Sequence, residues 1–287
     1  MNVNTLTLAS PLFPASLKNI PTPPTILYIA GDSLEDLLAR PRVSVVGSRK
    51  VSAYGKTVTT QLAGDLARAG VVIVSGLAIG TDAVAHRAAL DVGGQTIAVL
   101  PAGLASIYPA SHYQLALAIL KQGGALITEY PPDATIAYKD HFIARNRIVS
   151  GLSVVTLVTE AAAKSGTLHT ARFALEQGRE VMAVPGNITS PTSAGTNRLI
   201  QTGAASVTSA DDIFHALGIQ PSGMTRTPKG DTPEQQLIID LLASGEDDGS
   251  ALLAQSNLDI RIFDQSLTML EITGKIRALG GNKWALI

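Results

Sequence analysis

Cysteine is absent from the 287 residues. That excludes disulfides, thiolate zinc sites and cysteine nucleophiles, and it is compatible with a reducing cytoplasm. Aromatic residues are scarce at 4% and charged residues at 16%. The apolar weight therefore falls on Ala, Val, Leu and Ile, a composition suited to parallel strands buried on both faces beneath helices. No stretch approaches the roughly 18 uninterrupted apolar residues of a membrane span. The N-terminal MNVNTLTLASPLFPASLKN also has no basic region followed by a long apolar run. The expectation is a soluble, cytoplasmic protein with no membrane partner. No excess of either charge exists, the formal net charge being -1, so the overall balance names no partner. Its distribution is more informative: residues 233 to 287 hold eight acidic and four basic side chains, while the rest of the chain holds 18 basic and 15 acidic. A polyanion site is to be sought in the large N-terminal part.

From residue 43 short β-branched runs alternate with helical stretches. Strands are expected at 43 to 47, 71 to 76, 96 to 101, 125 to 129, 153 to 160, 180 to 186 and 205 to 209, with helices between them. This alternation predicts right-handed βαβ units and an α/β fold: a doubly wound, mostly parallel, Rossmann-like sheet spanning residues 41 to 217. Residues 1 to 40, rich in proline and small side chains, read as an extended lead-in along that domain. Residues 218 to 232 read as a Pro/Gly-rich linker. Residues 233 to 287 pattern as three helices followed by a hairpin turning at Gly280-Gly281-Asn282, which suggests a small C-terminal winged-helix domain.

Ligands of open α/β sheets bind beyond the carboxyl ends of the strands, and here those exits are rich in Gly, Ser, Thr and Pro. In VVGSRKVSAYG, Gly47 allows a sharp turn, Ser48 is a capping side chain, and Arg49 is delivered beside free helix amides, a site suited to an anion. An ordinary turn with a solvated arginine is the plainer reading of that stretch taken alone. G-x-G-x-x-G is missing there and no acid closes the next strand, so no dinucleotide cofactor is implied. Asp82 and His86, one helical turn apart in SGLAIGTDAVAH, invite a catalytic reading. No nucleophile at a fixed spacing completes the pair, and structural hydrogen bonding is the simpler account. Ser165, Gly166 and Thr167 open a helix in a phosphate-friendly manner, and the long loop 184 to 197 has the length of a functional one.

The stretch HFIARNRIVSG, 141 to 151, sets Arg145, Asn146 and Arg147 side by side. If it is helical, the two arginines lie ~200° apart at ~100° per residue and cannot share a face. One turned inward needs a partner such as Asp82 or Glu160, whereas one turned outward near Lys139 would meet an anion. Lys139, Phe142 and Arg145, at three-residue intervals, place two cations around a ring, a combination that grips a phosphate backbone and stacks a base. The competing reading makes Phe142 a core residue. The residues by themselves leave both readings open.

VVGSRKVSAYG, VSGLAIGTDAVAH, VLPAGLASIYP, FIARNRIVSGLS, EAAAKSGTLHTARFALEQGREVMAVPG and SAGTNRLIQTGA occur in the order and spacing of the DNA-processing protein A (DprA/Smf) family, and the chain resembles that family over roughly residues 20 to 210. The resemblance implies a non-enzymatic protein that binds single-stranded DNA, protects it and helps load a RecA-type recombinase during natural transformation, commonly as a homodimer. Carried over by motif, it implies DNA contacts from Gly47, Ser48, Arg49, Lys139, Phe142, Arg145, Asn146, Arg147, Ser165, Gly166 and Thr167; with the segment beside the groove, Lys139, Phe142 and Arg145 are expected to face the strand and Arg147 to brace the sheet. The ~40 residues before the regular strands are too few for the helical domain that opens many members. An alternative, a nucleotide-binding hydrolase resembling the lysine-decarboxylase-like phosphoribohydrolases, needs a glutamate in the helix after the glycines. Here SGTLHTA places His169 and Thr170 there. The expected recognition helix of the C-terminal module, LDIRIFDQSLTML, carries Asp259 and Asp264 against Arg261, which disfavours it as the main DNA surface.

Overall fold

The computed structural model describes residues 3 to 31, 34 to 135, 140 to 219 and 228 to 286. It divides into two compact units, Met1–Pro221 and Ser222–Ile287. In the first, the elements run β1 (Val3–Thr7), α1 (Ala15–Lys18), β2 (Ile26–Ala30), α2 (Leu34–Ala39), β3 (Arg42–Gly47), α3 (Ala53–Arg68), β4 (Val72–Ser75), α4 (Thr81–Asp91) and β5 (Thr96–Val99). They continue, after a single 3-10 turn at Ala110–His112, with α5 (Tyr113–Lys121), β6 (Ala125–Thr128), α6 (Asp140–Gly151), β7 (Val155–Glu160), α7 (Thr167–Glu176), β8 (Glu180–Ala183), α8 (Ala194–Gln201), β9 (Ala205–Ser206) and α9 (Ala210–Leu217).

These strands form one nine-stranded sheet in the order β1-β2-β6-β5-β4-β3-β7-β8-β9. From β6 to β9 every pairing is parallel, while β1 pairs with β2 and β2 with β6 antiparallel. The α/β class and mostly parallel sheet match the sequence pattern, and the central strands are buried throughout except for the half-buried Arg42 that opens β3, as two covered faces require. The first 40 residues depart from the expected extended lead-in, for they supply two strands of the sheet and two short helices. Their proline-rich flanks hide this, because the pairing partner of ILYIA is β6, about a hundred residues downstream.

Successive strands step from β3 through β4 and β5 to β6, and the chain then returns to place β7 on the other side of β3. The strand order thus reverses between β3 and β7, the point at which open α/β sheets form a crevice at the carboxyl ends of their strands. One apolar layer gathers Leu17, Ile148, Val149, Leu152, Ala171 and Ala174 over one face, and another gathers Ala83, Leu115, Ala116 and Ile119 over the other. Burying side chains of the Leu, Ile and Val type contributes about 1.5–3 kcal/mol each, so α6 is seated firmly by Ile148 and Val149, with Leu152 buried just past its end. That seating sets the direction of every other side chain on the helix.

The second unit contains α10 (Pro233–Ala243), α11 (Gly249–Ser256), α12 (Ile260–Ile272) and an antiparallel hairpin of β10 (Ile276–Gly280) and β11 (Lys283–Leu286). A separate core of Ile238, Ile239, Leu242, Leu252, Phe263, Leu267, Leu270 and Ile276 holds it together. An isolated bridge from Asp248 to Lys283 adds one more pairing to the hairpin. Asp259, read from sequence as part of the acidic face of the last helix, instead caps it: its Oδ1 accepts from the Arg261 amide at 2.9 Å. No described helix is long and apolar enough to cross a membrane.

Candidate functional site

The β3 exit is locked to the β4 exit. Ser48 carbonyl oxygen accepts from the Thr81 amide at 3.1 Å and from Thr81 Oγ1 at 3.2 Å. Gly80 has φ +84°, and a Cβ there would strike the carbonyl oxygens of Ser48 and Arg49. Gly47 is equally constrained, since a side chain there would run into Thr81. Only glycine permits both approaches. The β7 exit is tied to the same place, with Thr167 Oγ1 donating to the Gly47 carbonyl at 2.7 Å and Ser165 Oγ donating to Thr167 Oγ1 at 3.1 Å. Glu160, 2% exposed, accepts from the Ser52 amide through Oε2 at 2.9 Å, and Ser52 Oγ caps α3 by accepting from Gly55. Gly47, Ser48, Arg49, Ser165, Gly166 and Thr167 therefore lie along one crevice. Within it the Ser165 and Thr167 hydroxyls are engaged with protein groups, and Gly166 is exposed.

Arg49 is exposed, and its guanidinium carbon lies 5.0 Å from the centroid of the half-buried Phe142 ring. Phe142 meets Tyr108 edge to face at 5.4 Å between centroids, and Tyr108 is 45% exposed. A cation over a ring at this distance is electrostatically favourable. The three residues come from the β3 exit, the loop after β5 and the first turn of α6. Beside them is a small cavity lined in part by Arg49, Ile79, Pro101, Tyr108 and Phe142, with Arg145 also at its wall. Tyr108 was not singled out in the sequence; the signal available was an aromatic residue at a strand exit in a chain with few aromatics.

Arg145 does not face outward as expected. It is 4% exposed, and its guanidinium donates to the carbonyls of Gly76 and Val99, while Nε donates to Asn146 Oδ1 at 3.2 Å. The cause is spacing: Arg145 stands three and four residues before the buried Ile148 and Val149, on the face of α6 that the core claims. Burial pulls its pKa down, the Asp82 charge opposes that fall and Arg49 adds to it, leaving it at about 10. Asp82, 8% exposed, accepts from the Gly76 amide at 3.2 Å and the Ala78 amide at 3.3 Å. Burial raises its pKa, and Arg145 opposes that rise. Asn146, expected at the ligand, instead orients Arg145.

Arg147 points the other way and grips Glu129 through two 2.6 Å bonds, with further bonds to the Thr22 and Ala144 carbonyls. It ties α6 to the β6 exit and to the segment before β2. Lys139 lies outside the described residues. Asp82 and His86 form no pair with each other: His86 is fully buried and its Nδ1 is 2.7 Å from Thr96 Oγ1. In the long loop, Asn197 clamps Gly186 by donating to its carbonyl and accepting from its amide.

A family model described as DNA recombination-mediator protein A matches residues 4–218, nearly the whole first unit. The chain is 45% identical over 216 residues to DNA processing protein DprA of Bacillus subtilis, covering 75% of this chain and 71% of that one. It is 40% identical over 282 residues to Protein Smf of Escherichia coli, covering 95% and 74%. Among solved structures it is similar to DNA processing protein A of Streptococcus pneumoniae, with a TM-score of 0.68 and 39% identity over 74% of this chain and 73% of that one. It is also similar to DNA processing protein A of Helicobacter pylori, a protein with a single-stranded DNA binding mode, with a TM-score of 0.66 and 33% identity over 75% and 95%. The six sequence motifs, the nine-stranded sheet and these matches agree, and the chain belongs to the DNA-processing protein A (DprA/Smf) family.

Proposed function

We propose that this chain binds single-stranded DNA at the crevice where β3, β4 and β7 end. In this reading it protects the strand and helps load a RecA-type recombinase on it during natural transformation and recombination, acting as a cytoplasmic homodimer without catalysing a reaction. The observation that carries the reading is Arg49, exposed at a glycine-rich strand exit with its guanidinium over Phe142. An exposed cation takes a phosphate, and an adjacent ring takes the face of an unpaired base. A duplex keeps its bases stacked and offers no such face, so the arrangement favours single strands. Gly47, Ser48, Ser165, Gly166 and Thr167 serve in this reading as the backbone and hydroxyl side of the groove, with Lys139 as a second cation. The single-stranded DNA binding mode of the Helicobacter pylori relative supports it.

The C-terminal unit is read as a winged-helix module for protein contact. Its α12 exposes Ile260, Ile262, Met269 and Ile272 beside Asp264 and Glu271, with Arg261 as the only base on the helix. Acidic and apolar side chains suit a protein surface and oppose a phosphate backbone.

The test is a titration of the full chain with fluorescent oligo-dT and with a matched duplex at two salt concentrations, for wild type and Arg49→Glu. Preference for the single strand is expected, with affinity falling by about 0.7 log units per log salt for each phosphate neutralised and collapsing in the variant. Equal affinity for both substrates, or indifference to the charge reversal, overturns the reading.

A further inference from the structure

Glu160 ends β7 at the crevice and is 2% exposed. A carboxylate beside a site for a polyanion opposes the ligand. Its Oε1 is also buried with no hydrogen-bond partner among the described residues, and an unsatisfied buried acceptor costs stability. A group retained under both penalties calls for a reason.

A break in the β3–β7 ladder sets its direction. Val46 pairs with Val158 but Gly47 pairs with Glu160, which leaves Thr159 as an extra residue. Consecutive side chains of a regular strand point to opposite faces; an irregularity of this kind re-aims one of them, and here both reach α3. Thr159 Oγ1 is 2.7 Å from Thr59 Oγ1 in the body of the helix, and Glu160 Oε2 accepts from the Ser52 amide at its cap, 2.9 Å away. The carboxylate lies so close to the first turn of α3 that a Cβ on Gly55 would strike Oε2.

We infer that Glu160 is a positioning residue for Arg49, fixing the guanidinium at the crevice without itself touching the strand. The inference rests on the single-strand reading and deepens it. The turn from β3 to α3 is held at its start by Thr167 on the Gly47 carbonyl and Thr81 on the Ser48 carbonyl, and at its end by Glu160 on the Ser52 amide. Arg49 falls between these anchors. Inside the turn the Lys50 amide donates to Ser48 Oγ at 3.0 Å, a local bond that does not tie the segment to the sheet. With the Ser52 end released, the turn is anchored on one side only, and Arg49 must be ordered anew at each binding event, which lowers affinity. The acid therefore serves the anion site indirectly, and its bond to the Ser52 amide outweighs the repulsion that its charge adds.

The experiment measures oligo-dT binding by fluorescence anisotropy across a salt series, on the full chain as wild type, Arg49→Ala, Glu160→Ala, Glu160→Gln and Arg49→Ala/Glu160→Ala, each shown to be folded by its urea midpoint. Arg49→Ala should weaken binding and flatten the slope of log affinity against log salt by about 0.7, the value of one phosphate contact. Glu160→Ala removes a negative charge, yet it should weaken binding and flatten the slope toward the Arg49→Ala value. The double variant should bind within about twofold of Arg49→Ala, because losses that act through one group do not add. Glu160→Gln keeps an oxygen at the Ser52 amide and should recover most of the affinity. No loss in Glu160→Ala, a loss with an unchanged slope, losses that add in the double variant, or a Glu160→Gln variant as weak as Glu160→Ala overturns the inference, while the single-strand reading stands on the Arg49→Ala result. If Arg49→Ala changes neither affinity nor slope, both fall together. Should Glu160→Ala not fold, Glu160→Asp, which keeps the charge but stops one methylene short of the Ser52 amide, replaces it with the same expectations.

Discussion

Truncating Arg145 to alanine removes a guanidinium that is 4% exposed and bonded to two strand-exit carbonyls, and it leaves Asp82 without the cation that offsets its burial. Each orphaned carbonyl costs about 1–3 kcal/mol, and breaking a buried charge pair by removing one partner costs about 3–5 kcal/mol. The same side chain supplies both effects, so they overlap, and the expected total is about 3–5 kcal/mol against a domain stability of about 5–15 kcal/mol. The cost depends on pH with a definite sign. Without Arg145 the folded-state pKa of Asp82 rises further, so above the ordinary carboxylate range the folded chain holds a proton that the unfolded chain releases. Stability then falls as pH rises through the raised value, and acidification should recover part of the loss. Urea unfolding followed by circular dichroism at pH 7.5 and 5.5, on wild type, Arg145→Ala and Arg145→Ala/Asp82→Asn, measures this. A loss below about 1 kcal/mol in Arg145→Ala, or no recovery from the added Asp82→Asn, would refute the account.

Other expectations follow from neighbouring groups. Thr96 Oγ1 spends its proton on the Ile73 carbonyl, so His86 must donate from Nδ1, and its buried Nε2 has no hydrogen-bond partner. Burial, then the charges of His112, Arg145 and Arg87, pull the His86 pKa from 6.5 to about 3. The unfolded chain therefore holds the extra proton between those values, and about 2 kcal/mol should be lost between pH 7.5 and pH 5; an equal acid loss in His86→Asn would contradict this. Arg147→Ala breaks the bidentate Glu129 pair, whose side chains are 12% and 17% exposed, and should lower the urea midpoint by the equivalent of about 1–3 kcal/mol. Single-strand affinity at temperatures where the variant stays folded should be unchanged, and a primary affinity loss would move Arg147 into the groove. Gly80→Ala drives a Cβ into the Ser48 and Arg49 carbonyls at φ +84° and should weaken both stability and DNA binding, whereas a silent substitution would show that the β3 exit is pliable. Truncation after Pro221 should leave oligo-dT affinity within about twofold at fixed salt, and a tenfold loss would make the C-terminal unit part of the DNA surface.

The alternation of strand and helix from residue 43 onward was legible because hydrophobic periodicity is a local property, carried by short runs such as VSVVG and SVVTLVTE. So were the C-terminal helices, whose caps and turn residues sit within a few positions of the ends they define. Residues 1 to 40 were misread as a lead-in because a strand is specified by its pairing partners, and β2, which carries the edge strand β1 into the sheet, finds its own partner far downstream in β6. The arginines of α6 show the same boundary more sharply. Helical geometry alone separated Arg145 from Arg147, and the spacing to Ile148 and Val149 pointed Arg145 inward for a reader who weighed the core first. Its acceptors, however, lie at residues 76 and 99.

The α/β class, the division into a large and a small unit, the glycine-rich exits and the divergence of the two arginines are all readable along the chain, since each follows from residues close together in it. The cluster of Arg49, Tyr108 and Phe142 is a product of long-range folding, because it joins three segments separated by 34 to 59 residues. Strand order placed them side by side, and strand order is set by long-range packing that no local pattern encodes.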